Sequence, residues 1–327
     1  MSTKDTNKKD SLDINAQIEW LDEQINTLCE QRIRLRAQAF ELGFDQDEGF
    51  SVLESHDFSN ARVVFQGVEG AYSQQAMHQY FGTEVNGTAV ATWKDAMEAI
   101  QKGEADYAVL PIENSSAGIV SENYDLLVEY DNYIVGEQII KIQHELLGLP
   151  ESSVEQILNV YSHPQALMQC SEYLDAHKTW KKNSLENTAL AAKKVKEDND
   201  CSQAAIAGKI NAQLYGLKIL EPAIQNNKNN STRFIIVTGK KICTKEASHI
   251  SICFELVHES GSLYRALSHL IYNKLNMTNI QSRPLGDRNW EYRFFVDFEG
   301  QLNDEAVLNA MRGLRRESAS LKILGTY

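Results

Sequence analysis

Asn229-Asn230-Ser231-Thr232-Arg233-Phe234-Ile235-Ile236-Val237 is the stretch that decides how this chain folds. Its apolar end reads as a buried strand, and its polar end stops that strand short. Side chains at strand ends converge on the crevice of an open α/β sheet, where ligands bind. A hydroxyl, a permanently charged fork and an amide at such a place suit a small polyanion. A second stretch mirrors it: the strand-like run Tyr107-Ala108-Val109-Leu110 leads into Pro111-Ile112-Glu113-Asn114-Ser115.

Working outward, Arg62 to Lys241 alternates short apolar runs with helical patterns. Strands are expected at 63–65, 88–90, 107–110, 133–143, 157–161, 204–206, 218–220 and 234–238. Helices are expected at 73–81, 94–101, 165–176 and 188–196. This alternation implies α/β layering with mostly parallel strands. From Ser248 the rhythm becomes βαββαβ, a ferredoxin-like unit, with Asp287-Arg288-Asn289 as the hairpin connection between its middle strands.

Ahead of these lies a heptad seam: Ile14, Ile18, Leu21, Ile25, Leu28, Arg32, Leu35, Ala39, Leu42. Such spacing makes a long helix from Asp13 to Gly43 with one apolar stripe. A second chain is the simplest partner for it, so at least a homodimer is expected. Residues 44–61 are acidic, contain Gly49 and lack a period, and read as a linker.

The chain has 327 residues, 43% of them hydrophobic, and a formal net charge of -13. Its size calls for two or three domains. An acidic balance disfavours nucleic acid as a partner. A mean hydropathy of -0.39 and the lack of a long apolar run disfavour the membrane. The polar first residues carry no apolar signal core, and the five cysteines have no metal-type spacing. A cytoplasmic protein with reduced thiols is the simplest account.

Further motifs follow in order. Gly67-Val68-Glu69-Gly70-Ala71-Tyr72-Ser73 succeeds the strand at 62–65. Ser162-His163-Pro164-Gln165-Ala166-Leu167-Met168-Gln169-Cys170 succeeds the strand at 157–161, and Asn187-Thr188-Ala189 opens a helix. Taken with the two opening stretches, this order resembles prephenate dehydratase, the lyase that makes phenylpyruvate for phenylalanine synthesis. Gly261-Ser262-Leu263-Tyr264 and Gln281-Ser282-Arg283-Pro284 resemble its phenylalanine-sensing ACT domain. The resemblance covers roughly Arg62 to Tyr327.

The resemblance implies a two-lobed, periplasmic-binding-protein-like (type 2) catalytic domain over 62–241. Lobe one would be 62–136 plus 225–241 and lobe two 137–224, followed by an ACT domain over 248–327. The substrate would lie between the lobes. Thr232 would donate a hydrogen bond to the departing hydroxyl, and Arg233 would grip the pyruvyl carboxylate. Ser73, Glu113, Asn114, Ser115, His163, Gln165, Thr188 and Phe234 would contact the substrate, with His163 placed for position rather than proton transfer. Aromatisation drives the reaction, so no metal or organic cofactor is needed.

Gly261, Ser262, Leu263, Gln281, Ser282, Arg283 and Pro284 would hold regulatory L-phenylalanine. This chain departs from the family at several positions. Val68 stands for proline, Ala71 for threonine, Asn187 for serine, Ser262 for alanine and Gln281 for glutamate.

The first helix resembles the start of the chorismate mutase often fused to this enzyme. Only Arg32 of its cationic cage is matched. Asn15 stands for an arginine and Gly43 lies near the expected lysine, so mutase activity is not expected. The rival readings are a bifunctional mutase–dehydratase and a non-catalytic sensor of an aromatic metabolite. The sequence does not separate prephenate from arogenate as substrate.

Overall fold

The computed structural model describes residues 14, 16–25, 27–28, 31, 49–286 and 290–327. Arg32, Asn15, Gly43 and the 287–289 hairpin connection lie outside the described residues. The chain divides into two compact units, one spanning Ser51–Lys245 and the other including Glu246–Thr326. Among the described residues, no helix is long and apolar enough to cross a membrane.

Helix α1 is described over residues 16–25. Its stripe residues Ile18, Leu21 and Ile25 are each about half exposed, at 50%, 51% and 49%.

The larger unit begins with β1 (Ser51–Leu53), β2 (Arg62–Gln66), α2 (Tyr72–Phe81), β3 (Asn86–Val90) and α3 (Trp93–Gln101). There follow β4 (Tyr107–Asn114), β5 (Gly118–Ile119), α4 (Ser121–Glu129), β6 (Tyr133–Lys141) and β7 (Glu145–Gly148). Next come β8 (Asn159–Ser162), α5 (Pro164–Gln169), α6 (Ser171–Ala176), β9 (Lys181–Ser184) and α7 (Thr188–Asp198). The unit closes with β10 (Gln203–Ala207), α8 (Ile210–Tyr215), β11 (Lys218–Glu221), β12 (Ser231–Thr238) and β13 (Ile242–Thr244).

One sheet forms in each lobe, beside the separate two-stranded pair β1–β13. The first has the order β6-β12-β4-β2-β3, with β5 beside β4; the second has the order β11-β7-β10-β8-β9. Central strands are apolar throughout because both faces are covered: Ala108, Val109 and Leu110 are wholly buried. Polar side chains set the helix starts. Thr92 and Asp95 form a reciprocal capping box on α3, and Asn187 caps α7.

Three expectations are corrected. The sheets are mixed rather than mostly parallel. β2 pairs in parallel with β3 and β4, but β12 runs antiparallel to both β4 and β6. The cause is β6 and β12 themselves, which carry the chain out of lobe one and back again. β6 stays in the first sheet to Lys141, so the chain leaves lobe one after residue 141 rather than 136. Residues 44–61 are not wholly a linker: β1 pairs in parallel with β13, and Phe58 packs among Tyr80, Phe81 and Tyr107. A three-residue strand and one aromatic are too short to leave a period in the sequence.

Lobe one is built on Val63, Phe65, Met77, Val109, Ile140, Phe234 and Ile236. Lobe two has a core on each side of its sheet, around Leu146, Val160 and Trp180 and around Leu147, Ala192 and Val195.

The smaller unit contains β14 (His249–Leu256), α9 (Ser262–Tyr272), β15 (Met277–Pro284), β16 (Tyr292–Glu299), α10 (Glu305–Glu317) and β17 (Ser320–Thr326). Its strands are antiparallel in the order β15-β16-β14-β17, which is ferredoxin-like. Ile252, Phe254, Val296, Phe298 and Leu314 fill the layer between sheet and helices.

β6 tolerates no side chain at Gly136, where an added Cβ would fall 2.1 Å from the Tyr80 hydroxyl. Gly136→Ala should therefore destabilise the protein by about 1–3 kcal/mol through overpacking. The urea midpoint reads this directly, and an unshifted midpoint would show that Tyr80 has room to move.

Candidate active site

A cavity of about 680 Å³ opens between the lobes. Lobe one contributes Gln66, Gly67, Ala71, Tyr72, Ser73, Trp93, Asn114, Thr232 and Phe234 among others. Lobe two contributes His163, Gln165, Gln169, Glu186, Asn187 and Thr188, and Ile142 and His144 line it where the chain passes between lobes.

Its centre is the pair Asn114 and Thr232, which face each other across the β4–β12 ladder. The Asn114 carboxamide has one possible orientation. Its Oδ1 accepts from the backbone N–H groups of Ser116 (3.0 Å) and Ala117 (2.8 Å). Its Nδ2 therefore donates, reaching Thr232 Oγ1 at 2.9 Å and Asn230 Oδ1 at 2.9 Å. Thr232 is 8% exposed. Its oxygen is taken as acceptor by Asn114, and its own hydrogen is left to donate.

Arg233 is placed differently from expectation. Successive strand residues point to opposite faces, so Thr232 and Phe234 face the cavity and Arg233 does not line it. Its guanidinium meets Glu137 at 3.4 Å and Glu113 at 3.8 Å. Glu113 is thus drawn to a protein cation and is not part of the cavity wall. Ser115 is also absent from the wall. Its Oγ accepts from Ser231 N–H at 2.9 Å, and its own N–H donates to the Ser231 carbonyl, which fastens the two strand ends together.

The other expected residues do reach the cavity. Ser73 is not the cap of α2. Ala71 holds that position with no side-chain bond, and Ser73 Oγ donates to the Gln66 carbonyl at 2.6 Å. His163 caps α5, with Nδ1 accepting from the Gln165 N–H at 3.2 Å. That bond leaves the proton of the neutral ring on Nε2. Asn187 caps α7 by accepting from Leu190 N–H at 2.8 Å, so the Thr188 hydroxyl is spared that task.

Among the described residues, no lysine or arginine lines the cavity. Four helices begin on its wall instead: α2 at Ala71–Ser73, α4 at Val120–Glu122, α5 at His163 and Gln165, and α7 at Asn187–Thr188. α2 and α4 have no side-chain cap; in α4 the Asn123 N–H donates to the Val120 carbonyl, and the earlier first-turn N–H groups remain available. These starts turn N–H dipoles toward the cavity, where they offer donors to an anion without a cation, beside the carboxylates Glu122 and Glu186 on the same wall.

Sequence reasoning missed Tyr72, Trp93, His144 and Glu186 as wall residues. Tyr72 sits inside a quoted motif beside Ser73, and that adjacency was the available signal. His144 sits between Gln143 and Glu145 with no pattern to mark it. Its ring is bonded to Gln169 through Nε2 at 2.9 Å and lies 3.3 Å from the Tyr72 hydroxyl. Burial pushes Tyr72 up in pKa and Cys170 up to about 12, so both stay protonated.

Burial also holds the rings of His144 and His163 below the ordinary value of 6.5. As pH falls, the unfolded chain takes up these protons before the folded one does. Stability is therefore full above pH 6.5 and declines below it. His144→Gln should lessen the fall in Tm between about pH 7 and about pH 5. An equal fall in both proteins would place the acid sensitivity elsewhere.

A sequence model of the prephenate dehydratase family matches residues 63–242. A bifunctional chorismate mutase/prephenate dehydratase from Enterobacter agglomerans is 34% identical over 272 residues, covering 82% of this chain and 70% of that protein. The prephenate dehydratase from Arthrobacter aurescens, solved in complex with L-Phe, superposes with a TM-score of 0.75 at 28% identity, covering 81% of this chain and 89% of its own. A protein described as a novel type of quorum quenching acylase superposes with a TM-score of 0.74 at 30% identity, covering 81% and 97%. The motif order, the two-lobed fold and the family match converge: this chain belongs to the prephenate dehydratase family.

Proposed function

We propose that the inter-lobe cavity converts prephenate to phenylpyruvate, with loss of water and carbon dioxide, and that Thr232 assists the departing hydroxyl. The observation that carries this assignment is the fixed amide of Asn114. It occupies the Thr232 oxygen as an acceptor, so the threonine's hydrogen is the one free to meet the leaving oxygen.

The electrons of the bond to the ring carboxylate flow into the ring as carbon dioxide leaves, and the bond to the ring hydroxyl breaks. The oxygen departs as hydroxide and becomes water on taking up a proton from solvent. A threonine is far too weak an acid to supply that proton as a free group, so Thr232 acts by positioned hydrogen bonding. The substrate carboxylates are placed against the helix starts, and the buried ring of Phe234 excludes water beside the cyclohexadiene. Arg233 serves by holding Glu113 and Glu137, which keeps β4, β6 and β12 in register. Closure of the lobes would dry the site.

Feedback by L-phenylalanine is assigned to the smaller unit. Gly261, in the left-handed region at φ +77°, turns the chain into α9. Ser262 and Leu263 follow in that helix, while Gln281, Ser282, Arg283 and Pro284 lie on β15, the outer strand of the unit's own sheet. Gln281 donates to Asn279 at 3.2 Å, a neutral link where relatives carry a carboxylate. The L-Phe complex of the Arthrobacter protein supports this reading. Bound phenylalanine would favour the less active of two lobe arrangements. A second copy of the chain is the proposed cover for the α1 stripe, and the cytoplasm is the proposed compartment.

Thr232→Ala should lower kcat by about 10²–10³-fold, with Thr232→Ser retaining most of the rate. Phenylpyruvate absorbance measures both, and an alanine variant within about threefold of the parent would remove Thr232 from this role. Removal of residues 1–48, which leaves Phe50 and β1 in place, should weaken self-association in sedimentation yet preserve turnover. Loss of turnover in that folded, truncated protein would contradict a purely associative helix.

A further inference from the structure

His144 is buried and Tyr72 half-buried, and both are titratable and idle in the scheme above. Tyr72 lies on α2 of lobe one, and its hydroxyl is 2.7 Å from the Gln143 carbonyl and 3.3 Å from His144 Nδ1. The two rings meet edge to face, with centroids 6.0 Å apart. His144 Nε2 lies 2.9 Å from Gln169 Oε1 at the end of α5 in lobe two. Backbone groups anchor the middle and the far end of the chain of contacts. His144 N–H donates to Gln225 Oε1 at 3.0 Å, and the Gln169 carbonyl accepts from Asn226 N–H at 2.8 Å.

A neutral imidazole carries one proton. With the Gln169 oxygen facing Nε2, that proton is assigned to Nε2, because a carboxamide oxygen can only accept. Nδ1 then presents a lone pair to the Tyr72 hydroxyl, which shares its hydrogen between Nδ1 and the Gln143 carbonyl. With its oxygen engaged, Gln169 has its amide N–H groups left for the cavity it lines. Were the proton on Nδ1 instead, the Gln169 amide would have to turn over and offer an acceptor to an oxygen-rich anion.

We infer that Tyr72 and His144 are positioning residues that fix the Gln169 carboxamide with its N–H groups turned toward the substrate. This rests on the assignment of the cavity as the substrate site. Because the chain of contacts spans both lobes, it also sets the amide only when α2 and α5 stand at their present separation.

Two measurements test it. The first is independent of turnover. Nitrogen-15 NMR of histidine-labelled protein at neutral pH should show His144 as the Nε2–H tautomer, and Tyr72→Phe should let the Nδ1–H form appear. A wild-type Nδ1–H tautomer overturns the inference and leaves the dehydratase assignment untouched.

The second is a double-mutant cycle on phenylpyruvate formation. His144→Leu should lower kcat by about tenfold with a smaller change in KM, and His144→Gln, which keeps a donor for the Gln169 oxygen, should recover most of it. In the Gln169→Leu background His144→Leu should cost less than about twofold more. Independent, multiplicative losses would show that His144 does not act through Gln169. If His144→Leu does not fold, the tautomer and His144→Gln still decide the matter.

Discussion

One hydrogen bond sets the terms of this enzyme: the Asn114 carboxamide donating to Thr232 across the ladder of β4 and β12. It exists because two strands far apart in sequence run antiparallel in a register that puts these residues opposite each other. Beyond that pair the register shifts, with one extra residue on β4 between the partners of Arg233 and Phe234. Such bulges re-aim side chains beside sites. The backbone N–H groups of Ser116 and Ala117 hold the amide from behind, so the donor cannot turn into an acceptor. Arg233, Glu113 and Ser115 contribute by keeping the strands where that bond requires them.

The wall around the pair consists of carboxamides, hydroxyls, imidazoles, helix starts and the carboxylates Glu122 and Glu186, with no lysine or arginine among the described residues. This suits a reaction in which a dianion loses one of its carboxylates. A lysine or arginine clamped on the departing group would stabilise the ground state more than the transition state, where that charge disperses into the ring. Neutral donors grip less tightly and can be aimed at the hydroxyl, where charge grows.

Much of this was legible in the sequence. Phe234–Val237 and Tyr107–Leu110 announced buried strands, and the polar residues at their ends announced the cavity. The βαββαβ rhythm after Ser248 reappears in the order of the smaller unit's elements, because β14 and β16 alternate in sequence and both helices carry a clear stripe. Misses occurred where meaning depends on a partner distant in sequence. That Arg233 faces away from Thr232 and Phe234 follows from strand alternation and was open to the sequence; its partners Glu113 and Glu137 come from other strands and no local pattern encodes them. β7 at Glu145–Gly148 is too short and too uniformly buried to declare a period. His144 is functional in appearance only because Tyr72 and Gln169 arrive beside it from other elements. The direction of β12 was lost because antiparallel and parallel central strands share the same apolar run.

The helix starts around the cavity have a genetic consequence. The peptide dipoles at these starts are spelled by no particular codon, so most missense changes at the wall remove a side chain and leave the dipoles in place. Departures such as Ala71 and Asn187 can then accumulate in a lineage while affinity for anions persists. What selection must guard is the path of the backbone, through glycines and caps, more than the charge of any one side chain.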